Sequence, residues 1–358
     1  MQGQFQGYGR PPAFPPPPTQ SQTEKARFEA KQAARKDVKK VVLLLLGLLI
    51  GANLLSLLAA LIAGVSQAFS TIFGGGELDM DIFADMADSM LMTFVTGYLP
   101  IMLAEIIVIL IGVKVLKLSF GKMFGKSRMG AGFTALGAFG CIGIGVVGQL
   151  LTSVMLIVMQ LAGFPIYSPD FSLDWGQPLG CALTLGYICL LGPILEELVF
   201  RGVILKALQR HGVPFAVLFS AFLFALFHQN LVQLFVPTLL GIFLALLAVR
   251  SGSLIPPILA HIANNTVAML LDMVLPADNP ALYWIGYLIY AVVFIGIAAI
   301  FMILYLKELT PLLKWKHPVL KLSAQLGNAL SHWPTVVFMV LYGLMIVYTT
   351  LIALLQGM

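Results

Sequence analysis

The sequence predicts an all-α fold, a polytopic membrane helix bundle of about nine transmembrane helices, and three observations predict it. The chain is 59% hydrophobic and only 10% charged, with a mean hydropathy of +0.95; a soluble domain carries about a quarter charged residues. Its apolar residues come in runs about as long as a bilayer is thick. The charges gather between those runs, and their sign alternates from one loop to the next. The length of 358 residues therefore counts spans rather than soluble domains.

Residues 1–22 are rich in Pro, Gln and Gly and include Pro15, Pro16, Pro17 and Pro18. Such a stretch cannot bury a core and reads as a disordered or polyproline-like tail. It is not a signal peptide, because no apolar core follows a short basic start. Residues 23–40 hold Lys25, Arg27, Lys31, Arg35, Lys36, Lys39 and Lys40 and read as a basic juxtamembrane helix beside anionic lipid.

Nine apolar runs follow, at 41–66, 91–115, 132–163, 179–208, 214–229, 231–249, 254–275, 281–306 and 334–356. The first is followed by acids (Glu77, Asp79, Asp81, Asp85, Asp88), the second by bases (Lys117, Lys122, Lys126, Arg128), the third by Asp170 and Asp174. Lys206 and Arg210 close the fourth, Arg250 the sixth, and Lys307, Lys314, Lys316 and Lys321 the eighth. By the positive-inside rule the N-terminus is cytoplasmic and the C-terminus lies outside. The fifth and sixth runs are short and meet at His228-Gln229-Asn230-Leu231, so either reads as tilted, re-entrant or broken and covered by protein. Pro256 and Pro257 suit a first helical turn. Glycines 130, 132, 137, 140, 143, 145 and 148 predict close helix packing rather than a site. The net charge of +5 sits at span ends, which excludes nucleic acid as a partner and leaves the lipid bilayer. Cys141, Cys181 and Cys189 all fall in apolar runs, read as small buried hydrophobes, and form no Cys-x-x-Cys pattern. His211, His317 and His332 fall in loops and read as surface residues.

The functional argument starts at Gly192-Pro-Ile-Leu-Glu-Glu-Leu-Val-Phe-Arg201. An ionisable residue in a span costs several kcal/mol and marks function by default. Glu197 and Arg201 are i,i+4 neighbours with the acid first, the favoured order for a helical ion pair. Glu196 is turned about 100° away and has no such partner, so one carboxylate is structural and the other is left for chemistry. Phe224-Ala-Leu-Phe-His228 and His261-Ile-Ala-Asn-Asn265 each place their end residues on one helical face.

Three chemistries fit these groups. Glu196 is a general base on water, His228 helps to hold that water, and His261 and Asn265 donate to an oxyanion. Alternatively Glu196, His228 and His261 bind zinc in a two-His-one-carboxylate set, although His-Glu-x-x-His is missing. Alternatively the groups form a proton or ion path, which the lack of a second copy of these segments argues against. A serine nucleophile is a poor fit, because no Gly-x-Ser-x-Gly occurs.

Together, Glu196-Glu197-x-x-x-Arg201, Phe224-x-x-x-His228 and His261-x-x-x-Asn265 resemble the three motifs of the CPBP family, which includes intramembrane CAAX prenyl proteases and the bacterial Abi proteins. The resemblance covers roughly residues 178–275 and leaves out 1–40, 41–177 and 276–358, the tail with its juxtamembrane helix and the N- and C-terminal helices. It implies an intramembrane endopeptidase acting on a peptide or membrane-protein substrate. Glu196 and His228 would activate the water, and His261 and Asn265 would stabilise the oxyanion. Glu197 and Arg201 would shape the site, with Phe224 packed beside it. The alternatives are a zinc-dependent version of the same protease and a non-enzymatic scaffold or immunity protein of the same fold.

Overall fold

In lipid every backbone N–H and C=O must be satisfied within the chain, and helices do this within one segment. The computed structural model describes residues 19–74, 89–164, 172–275, 278–317 and 319–356, and the described residues contain helices and no strand. The Pro-rich residues 1–18, the acids Glu77, Asp79, Asp81, Asp85 and Asp88, and Asp170 lie outside the described residues.

Helix α1 (Gln20–Phe73) joins the juxtamembrane stretch and the first span into one helix. It opens on a capping box: the Thr19 hydroxyl accepts from Gln22 N–H and the Gln22 side chain accepts from Thr19 N–H. Its basic start rests partly on protein, because Arg27 donates to Val319 O and Lys31 O accepts from Asn328. Asp37, within the basic stretch, is buried and accepts from Arg210 Nε at 2.6 Å, with His211 Nε2 at 2.7 Å. His211 is therefore a buried residue and not the surface residue its loop position predicts. The reason is Asp37: an acid buried among bases draws both partners onto itself.

Helix α2 spans residues 90–115 and carries a π-helical stretch, Phe94–Tyr98. Helix α3 (Ala131–Leu161) is the hub, packing on α6 (Phe235–Ser251), α7 (Ile255–Val274) and α8 (Pro280–Leu313). Apolar burial does not drive helices together in lipid; close backbone approach does. The glycines of α3 supply it. A Cβ on Gly143 would stand 2.1 Å from Phe294 O of α8, and one on Gly148 would stand 2.8 Å from Val236 of α6. One member of the stripe departs from the purely architectural reading: a Cβ on Gly145 would stand 2.4 Å from Asn264 Oδ1, in the functional cavity.

Helix α4 covers residues 178–208 as successive α and π segments, and α5 is Val213–Phe227. The chain closes with α9 (Leu322–Leu330) and α10 (Trp333–Gln356). All nine apolar runs fall on helices, and α1, α2, α3, α8 and α10 are long and apolar enough to cross a membrane by length and composition. The 15 residues of α5 span about 22 Å, short of the ~30 Å hydrocarbon core. Helix α6 starts at Phe235 rather than 231, because residues 228–234 form a turn held by Asn230, which accepts from Gln233 N–H and donates to His228 O. Pro256 and Pro257 do occupy the first turn of α7. Cys141 and Cys181 are buried, while Cys189 is half-buried.

Candidate active site

Proline shapes the element that carries the two glutamates. Pro193 has no N–H, so the hydrogen-bond ladder of α4 must shift around it. The α-helical turn Gly192–Glu197 accordingly lies between two π-helical segments, Tyr187–Leu191 and Leu198–Leu205. Such insertions re-aim the side chains that follow and recur at functional sites.

The two adjacent acids then part company. Glu197 is fully buried, and its Oε1 accepts from Arg201 Nη1 at 2.6 Å and from His261 Nδ1 at 3.1 Å. Arg201, also buried, donates a second bond to Gly241 O of α6 at 3.3 Å, and its guanidinium stands 4.5 Å from the centre of the Phe224 ring of α5. One ion pair on α4 thus fastens α5, α6 and α7 together. Taking both charges out of water is costly, and these added bonds and the cation–π contact offset part of it.

Glu196 turns the other way, into a cavity of about 700 Å³. His261 Nε2 lies 3.6 Å from Glu196 Oε2, so this ring sits between both carboxylates. His228 caps the end of α5 and lines the same cavity. Its Nδ1 is 2.9 Å from Phe224 O. A carbonyl only accepts, so Nδ1 carries the proton and Nε2 of the neutral ring is an acceptor. Asn265 donates to Ile188 O at 3.1 Å and accepts from Asn264 at 3.1 Å, and both amides line the cavity. Phe224 packs edge-on against His228 and His261, with ring centres at 5.0 and 5.9 Å. Glu196, Phe224, His228, His261 and Asn265 therefore line one cavity, with Glu197 and Arg201 directly behind them.

The residues do not fit a zinc ion as they stand. Among the described residues no three His, Cys, Asp or Glu side chains are grouped so as to hold a metal.

Three groups near the site escaped the sequence reading. Glu105 of α2 is fully buried, with no hydrogen-bond partner for either oxygen among the described residues by distance and angle; Tyr187 and Glu196 are its electrostatic neighbours. It is the one acid in the run 91–115, and the rule that flags ionisable residues in spans applies to it as it does to Glu196. Asn264 stands beside a motif residue and carries no spacing signal of its own. Tyr283, Trp284, Tyr287 and Tyr290 of α8 line the cavity from a distant part of the chain, which only tertiary packing reveals.

Comparison with known proteins points to the same segment. Residues 178–267 match the family model described as type II CAAX prenyl endopeptidase Rce1-like. The chain is 35% identical over 85 residues to a Bacillus subtilis protein named "Putative membrane peptidase YdiL", covering 24% of this chain and 35% of that relative. It is 33% identical over 94 residues to an Escherichia coli protein named "Uncharacterized 24.3 kDa protein", covering 25% of this chain and 43% of that one. The chain thus spans less than half the length of each of these curated relatives, and no solved structure matches it. The three polar motifs lie inside the matched segment and meet at one cavity within a membrane bundle, so the stretch that is similar to type II CAAX prenyl endopeptidases is the stretch that builds the site.

Proposed function

We propose that the protein is an intramembrane endopeptidase that hydrolyses a peptide bond of a membrane-associated substrate with a carboxylate-activated water. The observation that carries this is the division of labour at residues 196 and 197: Glu197 is spent on Arg201 and His261, and Glu196 faces the cavity opposite His228 and Asn265. In this reading Glu196 takes a proton from water, the hydroxide oxygen bonds to the scissile carbonyl carbon, and the carbonyl opens to an oxyanion. His228 Nε2 holds the water by accepting a hydrogen bond from its second O–H, which stays on the attacking oxygen. Asn265 donates to the oxyanion, and so does His261 as an imidazolium, which gives Nδ1–H to Glu197 and keeps Nε2–H for the oxyanion. Collapse re-forms C=O and breaks C–N, and Glu196 returns its proton to the leaving amine. The aromatic side chains from α8 give the cavity a wall suited to an apolar segment of substrate. No step is routed through a metal.

The test is cleavage profiling. Purified protein in lipid nanodiscs is offered a library of apolar membrane peptides, and products are mapped by mass spectrometry beside Glu196→Ala, with and without a chelator. Site-specific cuts that vanish in the variant and survive the chelator are expected. Cuts made equally by both proteins sink the proposal, and loss of cutting together with one tightly bound zinc sinks its metal-free form.

The loop charges further support a cytoplasmic N-terminus and an outer C-terminus. Single cysteines placed between residues 70 and 90 are expected to react with an impermeant maleimide from outside, and those at 117–128 only after the cytoplasmic face is opened. The reverse pattern refutes this orientation.

A further inference from the structure

The two consecutive asparagines of α7 are wired to one another, and the wiring begins at a proline on another helix. In the π-helical segment of α4, Gly192 N–H is given to Tyr187 O. The next residue is Pro193, which has no N–H to give. Ile188 O is therefore left without its i+4 or i+5 donor, and a carbonyl buried in lipid must be satisfied from elsewhere. Asn265 Nδ2 satisfies it at 3.1 Å.

A side-chain amide can turn end for end at almost no change of shape, exchanging two N–H donors for an acceptor. The two contacts of Asn265 remove that freedom. Ile188 O only accepts, so it draws Nδ2; Asn264 Nδ2 only donates, so it draws Oδ1, at 3.1 Å. Held at both ends, Asn265 keeps a second N–H for the cavity it lines. Asn264 is itself nine-tenths buried, and Gly145 of α3 leaves the room its Oδ1 occupies, since a Cβ there would stand 2.4 Å away.

We infer that Asn264 is a positioning residue that clamps the Asn265 amide with its N–H, and not its carbonyl, toward the cavity. The inference rests on the proposed hydrolysis, in which Asn265 donates to the oxyanion. Released from Asn264, the Asn265 amide is held at one end only, and its cavity-facing N–H loses its fixed aim at the developing negative charge. The effect falls on turnover and not on substrate binding, because the oxyanion exists only after attack.

The test is a double-mutant cycle on the peptide that the wild-type protein cuts fastest in the library above. Asn265→Ala is expected to lower kcat roughly 100- to 1000-fold, the usual loss for one oxyanion donor. Asn264→Ala is expected to lower kcat at least ~10-fold with KM within about twofold of wild type. The double variant is expected to be no slower than Asn265→Ala alone, because Asn264 acts only through Asn265. Asn264→Asp has the same shape and no donor, so it is expected to be at least as slow as Asn264→Ala, and it carries the test if the alanine variant does not fold. Unchanged kcat in Asn264→Asp, or losses that multiply in the cycle, overturn the inference while leaving the hydrolysis intact. A wild type that cuts nothing faster than Glu196→Gln overturns the hydrolysis itself, and this inference with it.

Discussion

Glu196→Gln is expected to lower peptide hydrolysis by about 100- to 10,000-fold, the range that a positioned general base supplies, while leaving the folded yield unchanged. Glutamine keeps the volume of the side chain and one acceptor oxygen, exchanges the other for an NH2 donor, and cannot take a proton from water. The neighbouring Glu197–Arg201 pair, with its bonds to His261 and Gly241, does not involve Glu196. Single-turnover rates in nanodiscs and co-precipitation of uncut substrate give the two halves of the result. Substrate should still be captured by the variant and stay whole. A variant that cuts at even a third of the wild-type rate removes Glu196 from the role of base.

Arg201→Ala is expected to cost about 3–5 kcal/mol of stability, the usual consequence of stranding one member of a buried ion pair. The side chain is 1% exposed, so solvent cannot take over its role. Three helices lose an attachment at once: the pair to Glu197 on α4, the bond to Gly241 on α6 and the contact with the Phe224 ring on α5. His261 is then the remaining partner of a buried carboxylate and is pulled from its place between the acids. Activity should fall with stability. Arg201→Lys keeps the charge but loses the planar fork and its stacking, and should fall between. Unfolding of detergent-solubilised protein, followed by accessibility of the buried Cys141, measures the ordering of the three proteins. Equal stability of the alanine variant and the wild type contradicts the anchoring role.

The helical class and the nine apolar segments were legible because lipid leaves the backbone few options and hydropathy records them directly. The Glu197–Arg201 pair was legible because i,i+4 geometry is local. What was not legible depended on distant chain. The π-helical breaks of α4 lie in a run so uniformly apolar that it shows no period. His211 was read from its loop, and only the fold brings Asp37 to it. Asn264 does not belong to the spacing that marks His261 and Asn265, and only the fold shows that it donates to Asn265. Glu105 is the instructive omission. It had the same warrant as Glu196, a lone acid in lipid, and lacked only a companion motif to draw the eye.

The aromatic face of α8 has a consequence for how such a protein can diverge. Glu196, His228, His261 and Asn265 are all contained in residues 178–267, yet Tyr283, Trp284, Tyr287 and Tyr290 come from a helix beyond that segment, and Gln149 and Ser153 come from α3 before it. Under the proposed hydrolysis, reaction and selectivity are thus written in separate stretches of the gene. Mutations in one stretch can retune which chain is accepted without touching the machinery that cuts it, and a helix exchanged at α8 is a route to a new substrate on an old catalyst.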